Sequence, residues 1–241
     1  MPARPAGARP LRRVYRTVGV EEGTTAPAVL LDGRPLLTPA RHPLRLPRRA
    51  LALAVAEEWA AQEETVRPAS MPLTRLATTA TDLMPARRGD ALEEVLGYAP
   101  TELLCYRAAT PADLARRQEE RWQPWLDWLA GEFGVRLLPA RTLDPMPQPE
   151  AALLGLRAAV EAVADWPLVG LHAATTLGGS LVLGLALLRG ALDAAALFEL
   201  AQLDELYEIE RWGEEAEQQR RHAALRRDLA AAERFLRLLG G

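Results

Sequence analysis

The sequence predicts an α+β chain, mainly α, in which a small N-terminal β-rich α/β domain precedes a larger C-terminal helical bundle. Three observations predict it. β-prone residues and an Asp-Gly pair fall within residues 14–38. Apolar residues then recur at helical spacing almost to the end. The two patterns do not interleave, which separates the chain from an alternating parallel-sheet protein. The expected division is 1–75 for the β-rich domain and 76–241 for the all-helical one.

The elements follow in order. Val14, Tyr15, Val18 and Val20 open a β-prone run, and Ala28–Leu31 and Arg34–Thr38 flank Asp32-Gly33. Asp-Gly between apolar runs signals a hairpin, because a type I′ turn needs positive φ at both central residues. Pro39, Pro43 and Pro47 limit Leu44–Leu46 to a short or edge strand. Helices then begin. Arg48–Gln62 places Leu51, Val55 and Trp59 on one face, with Trp59 a core or junction residue. Leu73–Met84 places Leu76, Ala80 and Leu83 together, and Asp90–Tyr98 is a short third helix.

Thr110 reads as an N-cap with Pro111 at the first helical position. Leu114, Gln118, Trp122, Trp125, Leu126, Leu129 and Phe133 recur from there to a stop at Gly134. Trp122 and Trp125 share the apolar stripe, and Trp128 falls off it. Val135–Leu138 reads as a short strand. Pro139, Pro145, Pro147 and Pro149 mark a loop. Helical patterns resume at Glu150–Ala164, Leu168–Leu188, Ala194–Trp212 and Glu214–Leu239.

Composition narrows the function. The 241 residues are 49% hydrophobic and 25% charged, which suits a globular fold with a sizeable core. A formal net charge of -3 lacks the positive excess a general nucleic-acid binder needs. Every basic side chain is arginine, a mark of a GC-rich bacterial coding sequence. Cys105 is the single cysteine, so no disulfide forms within the chain and a reducing compartment fits. The arginine-rich start has no apolar core of a secretory signal and reads as a basic tail. Leu168–Leu188 is uncharged and reaches the ~20 residues of a membrane span. Its His172, Thr175, Thr176, Ser180 and glycines instead suit a central bundle helix. No stable membrane insertion is expected.

The residues offer little chemistry. Gly178-Gly179-Ser180 lacks the lysine of a phosphate loop and the strand before it. His42, His172 and His222 have no second histidine or cysteine at metal-ligand spacing. His172, within an apolar helix, reads as a buried hydrogen-bonded residue rather than a base. Cys105 reads as a small buried hydrophobe. No cofactor, no metal and no catalytic residue is expected.

The most unusual segment is Leu203–Glu217. It carries Asp204, Glu205, Glu208, Glu210, Glu214, Glu215 and Glu217 against one arginine. On a helix Asp204, Glu208 and Glu215 share one side, and Leu203, Leu206, Tyr207 and Ile209 supply an apolar side. The plainer reading is a solvated face balanced by Arg220, Arg221, Arg226 and Arg227. The sharper one is a docking surface for a basic partner, with Trp212 as anchor. Charge alone favours the plainer reading. Carboxylates on one helix do not define a metal site.

Six segments together change that weighting. They are Leu30–Pro39, Glu57-Glu58-Trp59 with Gln62, Met71–Leu76, Glu102–Arg107, Thr175–Ser180, and Leu203-Asp204-Glu205 through Trp212-Gly213-Glu214. In this order they resemble the assembly-factor family that serves the alpha subunit of F(1)-ATP synthase, over Val14 to Leu238. The resemblance implies a chaperone rather than an enzyme. It would bind the free alpha subunit, prevent its aggregation and release it to the beta subunit. A monomer is expected, in the bacterial cytoplasm or, if the source is eukaryotic, in the mitochondrial matrix. Asp204, Glu205, Glu208, Trp212, Gly213 and Glu217 become the expected partner-binding residues, and Trp59, Arg75 and Gly33 structural ones. Leu37 departs from the family's usual lysine, and Tyr207 stands where an aromatic residue, often tryptophan, occurs. The alternative is a small-molecule enzyme with a cleft site near His172.

Overall fold

The computed structural model describes residues 11–141 and 146–240. The basic N-terminal stretch before Leu11, and Pro145 in the expected loop, lie outside the described residues. Contacts divide the chain into two compact units, Met1–Leu83 and Met84–Gly241. The expected boundary after residue 75 would cut through a helix whose buried side belongs to the first unit.

In the first unit, β1 (Val18–Val20), β2 (Val29–Leu31) and β3 (Arg34–Pro35) form an antiparallel sheet in that order. The register sets Val18 opposite Leu31 and Val20 opposite Val29. Asp32 at φ 48° and Gly33 at φ 76° make the turn the Asp-Gly pair predicts. The Asp32 carboxylate accepts from Thr17 N at 2.8 Å and Arg16 N at 3.0 Å, which fastens the entry to β1. No strand forms over Leu44–Leu46. Isolated bridges join Arg45 to Ala28 and Pro43 to Leu37, since Pro43 and Pro47 lack the amides a ladder needs.

Helix α1 (Arg49–Ala60) buries Leu51, Ala52 and Val55. Tyr15, Val66 and Met71 form a core cluster, with Val18, Leu31 and Trp59 packed on it. Helix α2 (Pro72–Asp82) starts on Pro72 and buries Leu73, Ala77 and Ala80. The expected stripe through Leu76 and Leu83 is rotated from this one, and Leu83 is exposed. Glu58 at the end of α1 accepts from Leu73 N, Thr74 N and Thr74 Oγ1, each at 2.7 Å. One helix thus supplies the other's missing N-terminal acceptor.

In the second unit, α3 (Met84–Leu96) starts earlier than its pattern indicates and bends at Arg87. Helix α4 (Ala112–Phe133) begins one residue beyond Pro111, which takes the N-cap position expected for Thr110. It ends on Gly134 at φ 68°, as the sequence indicates. Trp122 is fully buried on it, and its Nε1 donates to Leu200 O at 3.0 Å. Trp125 and Trp128 are both half-buried, so the stripe does not separate them. Val135–Leu138 is not a strand. The Gln148 amide takes both backbone groups of Leu138, at 2.8 and 3.0 Å.

After α5 (Glu150–Glu161), the stretch expected as one helix is two: α6 (Asp165–Gly178) and α7 (Leu181–Leu188). Gly179 turns left-handed at φ 66°, and Ser180 caps α7. The helices pack so closely that a Cβ on Gly184 would collide with Thr175 Oγ1. Among the described residues no helix is long and apolar enough to cross a membrane. The next expected helix is also two, α8 (Ala194–Ala201) and α9 (Leu203–Trp212), broken at Gln202. Helix α10 (Ala216–Leu239) closes the bundle against α6 and α8.

Candidate partner-binding site

Helix α9 has a fastened side and an open side. Leu203 and Tyr207, one turn apart, are buried. Tyr207 donates to Asp113 Oδ1 on α4 at 2.8 Å, and that bond holds the Asp113 carboxyl below its ordinary range. The Arg211 guanidinium lies 3.5 Å from the Tyr207 ring centre and also bonds Asp113. Arg117 of α4 grips Glu210 with two bonds of 2.8 Å, which lowers the Glu210 pKa. Asp204 accepts from buried Gln118 at 2.7 Å, and crowding by protein raises its pKa.

The open side faces the turn into α10. Helix α9 stops at Trp212 because Gly213 takes φ 86° and ψ 168°, a region closed to side-chain-bearing residues. Glu215 then caps α10 in a reciprocal capping box with Gln218. Asp204, Glu208 and Glu215 therefore do not share one helical side, as the sequence indicates, because two helices meet there. Between them lies an open groove of about 940 Å³, lined by Glu208, Ile209, Trp212, Gly213, Glu217 and Arg220 among others. Trp212 is 76% exposed. Among the described residues Glu208, Glu217 and Arg220 have no hydrogen-bond or ion-pair partner.

Four of the six expected binding residues thus line one groove: Glu208, Trp212, Gly213 and Glu217. Glu205 lies behind it, bonded by Gln218 at 2.6 Å and by Arg221. Asp204 points away, toward α4. Gly33 makes the hairpin, Trp59 is half-buried against Tyr15, and Arg75 is exposed with no partner among the described residues. His172 is not buried as expected. Its Nε2 lies 2.7 Å from Glu94 at the surface. Cys105 is buried, and burial pushes its thiol up to about 12, unsuited to a nucleophile. Among the described residues no group of three or more histidine, cysteine or acidic side chains is disposed to hold a metal.

A family model described as ATP12 chaperone protein matches residues 12–130. The solved structure of Atp12 from Paracoccus denitrificans is 41% identical with a TM-score of 0.90, over 95% of this chain and 98% of that one. The chain belongs to the ATP12 chaperone family. The Atu1473 protein of Agrobacterium tumefaciens is 37% identical with a TM-score of 0.90, over 95% of this chain and 86% of that one. The mitochondrial protein atp12 of Schizosaccharomyces pombe is 23% identical over 217 residues, 84% of this chain and 74% of that one. ATP12 membership bears out the resemblance drawn from the six segments and the mainly helical α+β fold. It makes the protein a chaperone of ATP synthase assembly.

The ATP12 fold also sorts the six segments. Glu58 caps the helix begun by Pro72, so the second and third segments lock together. Glu102 accepts from Ser180 Oγ at 2.5 Å and Leu181 N at 2.9 Å, so the fourth and fifth do the same. Sequence reading missed these pairs and His222, whose partners are chosen by the fold. A carboxylate without a basic neighbour, near a helix-start pattern elsewhere in the chain, was the available signal.

Proposed function

We propose that this chaperone binds the free alpha subunit of F(1)-ATP synthase, prevents its aggregation and releases it to the beta subunit. The groove between α9 and α10 is its docking surface. The observation carrying this reading is the exposed Trp212 beside the unpartnered Glu208 and Glu217. An indole at the surface is a strong anchor once covered. Unmatched carboxylates around it select a basic rim and speed encounter without locking the complex.

The role suits that chemistry. An unassembled subunit exposes an apolar interface that aggregates. A chaperone must cover it reversibly, and a small aromatic anchor with a charged rim does so. Asp204 and Glu205 take part by setting the angle of α9 against α4 and α10. The protein acts by binding, without catalysis, as a monomer in the cytoplasm of a bacterium or in the matrix of a mitochondrion.

The test is co-elution of purified alpha subunit with the wild type and with Glu208→Lys, Glu217→Lys and Trp212→Ala. All three variants are expected to keep their circular dichroism and to lose alpha subunit at moderate salt. Folded variants that co-elute like the wild type would remove the groove from the mechanism.

A further inference from the structure

Beneath the groove His222 is 4% exposed, on the first turns of α10. Its Nδ1 lies 3.1 Å from Glu214 Oε1, in the turn between the helices. Its Nε2 lies 3.2 Å from Glu205 Oε1, on α9. The Phe198 ring of α8 meets it edge-on at 5.1 Å. A neutral imidazole carries one N–H and one lone pair. In either tautomer that lone pair would face a carboxylate oxygen at close range. Only the imidazolium offers a proton to both. The Nε2 is poorly aligned for a full hydrogen bond, so its proton is balanced by the Glu205 charge.

We propose that His222, as an imidazolium, is the positioning residue of the groove, tying α9 to the turn that opens α10. The charged groups facing it are Glu205 of α9, Glu214 of the turn, and Arg221 and Arg226 of its own helix. Arg221 shares the Glu205 charge with His222, since both meet the same carboxylate oxygen. The Arg226 guanidinium lies 3.6 Å from the Phe198 ring centre and opposes the extra proton. Burial works to raise the Glu205 pKa. Hydrogen bonds from Gln218 and Arg221, with the charges of Arg221 and His222, outweigh it and hold that carboxyl below its usual value. Trp212 and Gly213 lie between the two anchored glutamates. When His222 loses its second proton, one tie becomes a repulsion. Glu208 and Trp212 on α9 then shift relative to Glu217 on α10. The tie is present at lower pH and lost as pH rises. Its consequence for docking rests on the alpha-subunit reading above.

The experiment has two arms on the full chain. Ring ¹⁵N NMR is expected to show both His222 nitrogens protonated wherever the Trp212 emission, taken as a difference from Trp212→Phe, holds its low-pH value, and that emission to shift as the second proton leaves. Alpha-subunit affinity measured from about pH 6 to about pH 9 is expected to fall, at up to about tenfold per pH unit for one linked proton. His222→Gln and Glu214→Gln are both expected to flatten that fall. A His222 ring that loses its second proton with no change in Trp212 emission, or the same fall in His222→Gln, would overturn the proposal. Absence of alpha binding at every pH would instead defeat the docking reading, and the ring spectrum would still decide this one.

Discussion

Glu102 and Glu208 are both glutamates in segments that resemble the family, and the fold treats them in opposite ways. Glu102 is fully buried and accepts from Ser180 Oγ and from the amides of Leu181, Val182 and Leu104. Each of its two oxygens takes two donors, and three of those four donors lie at the start of α7. Glu208 is exposed at the rim of a groove and meets none among the described residues. The difference separates two reasons for a residue to belong to a family pattern. A matched carboxylate holds the chain together, because losing it strands buried donors. An unmatched one costs the fold nothing and remains available to a partner.

Substitutions can break that comparison, starting with the largest effect on stability. Glu102→Ala leaves Ser180 and the first amides of α7 without an acceptor, and is expected to cost about 3 kcal/mol or more. Denaturant unfolding measures it. Glu102→Gln keeps the shape and isolates the charge. Burial pushes the Glu102 carboxyl up from 4.5 to about 7, against the donors that favour the ion. Between those values the folded state holds a proton that the unfolded state has released. Wild-type stability should therefore fall as pH rises through that window, and the glutamine variant should lack the fall. Identical pH profiles would show that Glu102 is ionised throughout.

Gly213→Ala is the intermediate case, since this residue both ends α9 and lines the groove. A side chain at φ 86° and ψ 168° is expected to cost roughly 1–3 kcal/mol and lower the melting temperature. Glu208→Lys and Glu217→Lys should change stability least, within about 0.5 kcal/mol. Trp212→Ala should be similarly silent in unfolding yet cost about 2 kcal/mol or more in alpha-subunit affinity, read by calorimetry. A large loss of stability in any of these three would place them with Glu102.

Much of the fold was legible because its signals are local. Asp32-Gly33 announced the hairpin and Gly134 the end of α4. What failed was periodicity where it carries no contrast. Leu168–Leu188 is apolar on every side, so no stripe marked the break, although Gly178-Gly179-Ser180 spelled a C-cap followed by an N-cap. The α8–α9 break at Gln202 has no glycine or proline to show it. The acidic segment was visible as composition. Which of its carboxylates are matched was not, because Arg117, Gln118 and His222 reach them through tertiary packing. Glu102 and Ser180 are 78 residues apart, a pairing no local pattern encodes.

Light scattering by purified F(1) alpha subunit, held where it aggregates alone, tests the central claim most directly. Near-stoichiometric chaperone is expected to suppress the scattering, and added beta subunit to remove alpha from the chaperone into the assembled pair. Scattering that rises unchanged in the presence of the folded protein would contradict the account.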